Sequence, residues 1–357
     1  MRRRGFLTSM GGLAAGSAVP TPAAAAVAGL TTKSTSSGFP RKVIVGTAMQ
    51  AFWVPYPGLQ ERLDQLAGII DEMAGDAMRK YGRGLDLVVL PEVAITGELS
   101  SGDLAIQRAV PFEGLVKDMF VRKAREHHCY IVAPTYLLES KEKKVLSNAA
   151  ILVGRGGDVV GIYRKVHLVV SLDTGATEAG ATFGHAQPVF NCDFGRVGVQ
   201  ICYDIEFDDG WLELARQGAE LIVWPTQSPQ TAQPAFRAMQ QRCYIVSSTW
   251  RHNASVFEPT GRISAQITPP ARVLVHELDL SYAILPWSRK LQKGEALRKM
   301  YGPRVGFRYY EEEDRGIFWS NDPKVTIGEM VRSLGLIEIE QERERVRKIY
   351  RGAGLSG

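Results

Sequence analysis

Gly198-Val199-Gln200-Ile201-Cys202-Tyr203-Asp204 is an apolar strand candidate that ends on a cysteine and passes at once into a polar loop. Taken alone, Cys202 reads as one more small buried hydrophobe, the usual role of a free cysteine. Two other segments of the chain change that weighing. Leu87-Val88-Val89-Leu90-Pro91-Glu92 closes an apolar run on a carboxylate, and Ile162-Tyr163-Arg164-Lys165-Val166-His167-Leu168 carries an ammonium at the equivalent place. A charge at the rim of a buried sheet must be paired or used. Sites in α/β sheets gather at the carboxyl ends of strands, so three such ends can bring Glu92, Lys165 and Cys202 together. A thiol placed there gains a carboxylate to accept its proton and a cation that favours both the thiolate and the oxyanion formed on attack.

Outward from these segments, strands and helices alternate. Lys42 to Gln50 is a β-branched strand candidate, and Gln60 to Tyr81 places Leu63, Leu66, Ile69, Ile70, Met73 and Ala77 at helical spacing. Further strands are expected at 85–90, 130–136, 149–153, 159–163, 197–202, 221–224 and 244–249, with helices at 115–127, 211–217 and 235–242. Gly154, Gly156 and Gly157 suit a hairpin connection. Hairpins and helix crossovers together predict an α/β fold with mixed sheets covered by helices. After about Pro286 the pattern weakens into a basic stretch, the acidic run Glu311 to Asp314 and a charged helix candidate over 337–350, expected as an arm on the domain surface.

The three strand ends resemble the nitrilase superfamily, whose Glu-Lys-Cys triad lies in motifs matched here by LPEVAITGE, YRKVHL and QICYD. Gln50, Ser147-Asn148-Ala149-Ala150, Phe194-Gly195-Arg196-Val197-Gly198 and Pro259-Thr260-Gly261 extend the resemblance over roughly residues 41–280. It implies a four-layer α-β-β-α sandwich that pairs into a homodimer or larger homo-oligomer, and a two-step hydrolysis with neither metal nor organic cofactor. Cys202 would be the nucleophile, Glu92 the general base, and Lys165 with the Tyr203 backbone amide the oxyanion donors. The family's second glutamate, which positions the lysine and substrate, has Glu178 as its candidate and Asp173 as the alternative. Cys202-Tyr203-Asp204 resembles the amidase and carbamoylase branches, because nitrilases proper usually read Cys-Trp-Glu; a small-molecule amide or N-carbamoyl substrate is therefore expected. Glu206 stands where amide-hydrolysing relatives often carry arginine, and Arg237-Ala238-Met239-Gln240-Gln241 stands where RAIEN is usual. Glu206 reads either as favouring a neutral or cationic substrate or as an exposed loop carboxylate. Trp53 and Tyr56 read as packing residues that could also line a pocket mouth.

Of the net charge of +5, four cations without any acid fall in residues 1–38. The rest of the chain is close to neutral, which gives no electrostatic reason to expect nucleic acid or an anionic membrane as partner. Arg3-Arg4-Gly5-Phe6-Leu7, the Gly- and Ala-rich stretch after it and the small residues Ala23 to Ala26 resemble a twin-arginine export signal. The expected organisation is a signal peptide at 1–26, a linker at 27–40, the hydrolase domain at 41–285 and a C-terminal extension at 286–357, with the mature protein periplasmic or secreted. No run of about 18 apolar residues predicts a membrane span. Four cysteines without a C-x-x-C pair are not a disulfide framework.

A Cys-His protease using His167, His185 or His252 would leave Glu92 and Lys165 unexplained, and the six histidines show no H-x-x-x-H or H-x-H ligand spacing. An acyltransferase with the same triad, or a silent binding scaffold, remains as an alternative function.

Overall fold

The computed structural model describes residues 35–52, 55–99 and 102–355. The expected signal peptide, most of the linker and Trp53 lie outside the described residues. The described residues form one unit. It is built on two six-stranded sheets laid face to face.

The first sheet takes β1 (Lys42–Ala48), β2 (Leu87–Val89), β3 (Tyr130–Ser140), β4 (Val145–Val153), β5 (Val159–Arg164) and β12 (Val273–Asp279) in the order β12-β1-β2-β3-β4-β5. The second takes β6 (Val189–Cys192), β7 (Gly195–Val199), β8 (Leu221–Pro225), β9 (Tyr244–Ser248), β10 (Ser255–Phe257) and β11 (Ile263–Gln266) in the order β11-β10-β9-β8-β7-β6. Each has three central parallel strands, β1-β2-β3 and β7-β8-β9, flanked by antiparallel ones. Parallel strands need crossover helices, which is why the sequence alternates strand and helix through these stretches.

Period-2 alternation sorts the strand residues into two apolar layers. Val43, Val45, Leu87, Val89 and Val132 face Val197, Val199, Leu221, Val223 and Val246 between the sheets. Ile44, Val88 and Ile131 turn the other way, onto α1 (Leu59–Tyr81) and α3 (Leu115–Glu126). Ile222, Trp224 and Ile245 meet α4 (Asp209–Arg216) and α5 (Ala232–Gln241) on the far side. The result is the four-layer α-β-β-α sandwich that the family resemblance implies, and its short α2 (Asp103–Arg108) lies outside the sequence expectation.

The sheets join at the ends of β1 and β9. The Thr47 hydroxyl donates to the Ser247 carbonyl at 2.6 Å, and the Thr249 amide to the Ala48 carbonyl at 3.0 Å.

Two differences from the sequence expectation have physical causes. β7 stops at Val199, three residues before Cys202, because the Asp204 carboxylate accepts from the Ile201 amide at 2.8 Å and turns the chain into a 3-10 segment, Cys202–Glu206. The segment after Pro286 forms a third sheet, with β13 (Tyr282–Pro286), β14 (Val305–Tyr310) and β15 (Arg315–Ser320) in the order β13-β15-β14. The expected boundary at 285 falls inside β13. This sheet and the helices α6 (Glu295–Tyr301) and α7 (Ile327–Ser333) enclose a separate apolar cluster around Leu285, Leu297, Phe318 and Met330. The last helix, α8 (Ile339–Gly352), has no buried residue.

The layer between the sheets sets where the strand ends meet, and it tolerates little loss of volume. Leu87→Ala is expected to lower stability by about 2–5 kcal/mol, whereas Leu172→Ala, at a fully exposed position, should stay within about 0.5 kcal/mol. Urea unfolding of both variants checks this, and equal midpoints would contradict it.

Candidate active site

Three positions at or next to the expected site residues adopt backbone conformations that side chains disfavour. Val93, after Glu92, has φ 49°; Ala179, after Glu178, has φ 51°; Cys202 itself has φ 42°. Each left-handed non-glycine residue costs on the order of 1 kcal/mol or more and persists only where its surroundings enforce it.

Asp204 is what enforces the turn at Cys202. Fully buried, its carboxylate accepts from the Ile201 amide at 2.8 Å, the Tyr163 hydroxyl at 2.7 Å and the His167 amide at 2.9 Å. The same carboxylate lies 3.0 Å from His167 Nδ1. That contact, with a smaller contribution from Asp209, raises the imidazole pKa despite partial burial. The His167 ring stacks on Phe207 at 4.1 Å, and Phe207 meets the Tyr203 ring edge-on at 5.5 Å. His167 therefore braces the loop beside the thiol through Asp204. The Cys202 carbonyl accepts from Trp224 Nε1 at 3.0 Å, which anchors the turn to β8.

Lys165 lies one residue beyond β5, and its side chain is wholly shielded from solvent. Its ammonium donates to Glu92 Oε1 at 3.1 Å and to both Glu178 oxygens at 2.9 and 3.0 Å. Asn148, on β4, donates from one amide nitrogen to Glu92 at 2.9 Å and to Glu178 at 2.8 Å. Burial disfavours the Lys165 ammonium, but Glu92, Cys202 and Glu178 outweigh it and hold its pKa above the usual lysine value. Burial pushes the Glu92 carboxyl up, with Glu178 adding to the rise and Lys165 opposing it. The Glu92 backbone carbonyl accepts from Trp250 Nε1 at 2.9 Å. Its Oε2 is buried and has no hydrogen-bond partner among the described residues, which leaves one oxygen available to take up a proton.

The Cys202 thiol is pushed up to about 12, first by burial and then by the charge of Glu92; Lys165, the Thr226 hydroxyl and the Gln227 amide act in the opposite direction. Sulfur therefore carries its proton at rest, and attack on an electrophile has to be coupled to proton transfer.

Of the two candidates for the second carboxylate, Glu178 reaches Lys165, while Asp173 lies on the exposed 170–176 loop. Glu206 is also exposed and accepts from Gln233 Nε2 at 3.0 Å. Arg237 is buried against Asp208 and the Ile205 carbonyl beneath the same turn. Tyr56 stands apart, half-buried beside Arg108 and Arg62.

Two neighbours of the cluster carried no assigned role from sequence. Tyr136 on β3 is buried, and burial together with Glu98, Glu178 and Glu92 raises its phenol. Glu98, at the end of LPEVAITGE, accepts from Gln227 Nε2. The alternation of β3 marked Tyr136 only as a buried residue, and nothing in the sequence pairs Glu98 with Gln227, 129 residues away. Away from this cluster, Asp71, Glu126 and His127 converge with metal-like spacing, but the Lys123 ammonium already sits between the carboxylates at 2.6 and 2.9 Å.

Residues 48–285 match the family described as carbon-nitrogen hydrolase. The chain is 33% identical over 172 residues to a nitrilase of Pyrococcus abyssi, a stretch covering 46% of this chain and 62% of the relative. It is 26% identical over 167 residues to the deaminated glutathione amidase of Mus musculus, covering 40% and 51%. The matched stretches thus span about half the length of these curated relatives. A solved structure from Saccharomyces cerevisiae, a member of branch 10 of the nitrilase superfamily, shares the fold with a TM-score of 0.56 at 20% identity, covering 68% of this chain and 91% of that one. A family match running through more than half of the sequence, from the end of β1 to β13, makes this chain a member of the carbon-nitrogen hydrolase family.

Proposed function

We propose that the protein hydrolyses a non-peptide C–N bond, in a small amide or N-carbamoyl compound, through a thioester on Cys202. The observation that carries this is the buried Lys165 ammonium, hydrogen-bonded to Glu92 and Glu178 and close enough to Cys202 to act on its thiol. A purely structural ion pair has no need of a strained cysteine alongside it.

In the proposed sequence Cys202 Sγ attacks the carbonyl carbon while Glu92 takes the thiol proton. The oxyanion forms against Lys165 and the Tyr203 amide, which lies in the first turn of a 3-10 segment, where amides lack intrahelical acceptors. The intermediate collapses as Glu92 returns the proton to the departing nitrogen. Glu92 then deprotonates the water that cleaves the thioester, and the free acid leaves. Glu178 and Asn148 hold Lys165 and Glu92 in register for both steps. The Cys-Tyr-Asp sequence favours amide or carbamoyl substrates over nitriles; the relatives named above include both a nitrilase and an amidase.

Ammonia release from a panel of small amides, N-carbamoyl compounds and nitriles tests this. Cys202→Ala should remain folded and lose at least about 10⁴-fold in turnover, while intact mass of the wild type shows an acyl adduct during reaction. Turnover near wild type in the variant would sink the nucleophile assignment, and an acyl adduct that is never hydrolysed would point to transfer onto another acceptor.

The pH profile gives an independent check. Glu92 must be ionised to accept the thiol proton, so kcat/KM on a neutral amide falls as pH drops through its pKa. Because burial lifts that pKa above the ordinary 4.5, the acid limb is expected above pH 4.5. A limb at or below that value would exclude Glu92 as the base.

A further inference from the structure

We propose that Glu98 selects the substrate, binding an amide whose far end carries an ammonium or guanidinium group. This names the substrate class for the hydrolysis proposed above and rests on that reading.

Glu98 follows Glu92 by six residues, on the turn that leaves β2. Its position depends on Gly97, which has φ 68° and comes so close to the chain at Phe52 that a Cβ would lie 2.8 Å from the Phe52 carbonyl oxygen. Only glycine combines that conformation with that approach. The turn delivers the Glu98 carboxylate to Gln227, whose side-chain amide donates to it. The backbone amide of Gln227 and the hydroxyl of the preceding Thr226 both act to lower the pKa of the Cys202 thiol, which sets this segment next to the sulfur. Glu98 is thus one residue removed from the sulfur, and its charge is felt by Lys165, Glu178 and the buried Tyr136 phenol.

What singles it out is the lack of a cation. Other partly buried carboxylates have one: Glu92 and Glu178 share Lys165, Asp86 has Arg83 and Arg155, and Glu139 has Arg164. Glu98 has no ion pair among the described residues, only the neutral amide of Gln227. Burial accordingly raises its carboxyl, with Glu178 adding to the rise. Glu92, Glu98 and Glu178 have one ammonium, Lys165, among them; the Arg62 guanidinium under the same turn donates to the Ala94 carbonyl at 2.9 Å and forms no ion pair with a carboxylate among the described residues. A carboxylate drawn out of water is unfavourable until it is paired, and a cleft lined with one sign of charge concentrates ligands of the other. A cation on the substrate completes the pair, a neutral end gains nothing from it, and an anionic end is repelled. Glu206, the carboxylate to which the sequence first pointed, is exposed and so discriminates less.

The test uses the Cys202→Ala protein, so that binding is read without turnover. Calorimetry compares ω-amino amides from glycinamide to 6-aminohexanamide with neutral alkyl amides of matched length. At least one amine should bind about tenfold or more tightly than its neutral counterpart, and the chain length that does so reports the reach from Cys202 to Glu98. Glu98→Gln keeps a hydrogen-bonding partner for Gln227 but removes the charge, and is expected to abolish the advantage. Glu98→Lys should transfer it to the ω-carboxy amides. The proposal is overturned if no amine outbinds its neutral match, or if the advantage survives Glu98→Gln, as it would were Glu98 merely a structural partner of Gln227. Failure of the hydrolysis reading appears separately, as neutral and cationic amides alike going unhydrolysed by the wild type.

Discussion

An ammonium with no exposure to solvent must be surrounded by negative charge, and the site is organised around that requirement at Lys165. An isolated lysine buried to this degree would lose its proton. Two carboxylates, Glu92 and Glu178, together with the Asn148 amide bridging them, keep it charged. In the proposed reaction, the same low-dielectric surroundings that make this arrangement demanding would favour a developing oxyanion, because no water has to reorganise when the charge forms. Burial acts in the opposite sense on the Cys202 thiol, raising its pKa so that it holds its proton. The paired ions and the neutral thiol are two consequences of one environment.

Holding that environment together is the work of the fold. Glu92 and Lys165 come from the first sheet and Cys202 from the second, so the cluster exists only because the sheets pack face to face. The strained residues Val93 and Cys202 lie where chains leave those sheets, Ala179 lies on the loop between β5 and β6, and each conformation persists only because its surroundings enforce it. Asp204 shows how this is done: one buried carboxylate ends a strand, fixes the left-handed turn and braces His167. Such turns put side chains where continued strands would carry them past each other.

The third sheet has a different logic. Its apolar cluster is separate from the cores of the sandwich, yet it is docked through a buried polar contact, in which Arg308 of β14 donates from two nitrogens to Glu258 Oε2 at 2.8 and 2.6 Å while the Thr260 hydroxyl donates to the other oxygen at 2.6 Å. Glu258 precedes and Thr260 belongs to the Pro259-Thr260-Gly261 segment that resembles a family feature. Part of what looks like a functional signature there is the docking point for the C-terminal segment. Arg242, capping α5, reaches Glu340 on α8 at 3.0 Å and ties the final helix to the same side.

By itself the sequence determined the element types over most of the sandwich, because alternation and helical periodicity record which faces must leave water. It also singled out the side chains that the fold brings together, since Glu92, Lys165 and Cys202 each interrupt or end an apolar run where a charge or a thiol is out of place. It could not reveal β14 and β15, whose charged residues break the alternation: their burial comes from docking, a contact far away in the chain. Nor could it choose between Glu178 and Asp173, five residues apart on one loop, because that choice depends on which carboxylate the turn at Ala179 directs toward Lys165. Glu98 is the sharpest case. As a letter in LPEVAITGE it is an ordinary glutamate; only the tertiary structure puts it beside Gln227 with no ion pair among the described residues, because pairing and desolvation are properties of neighbours in space.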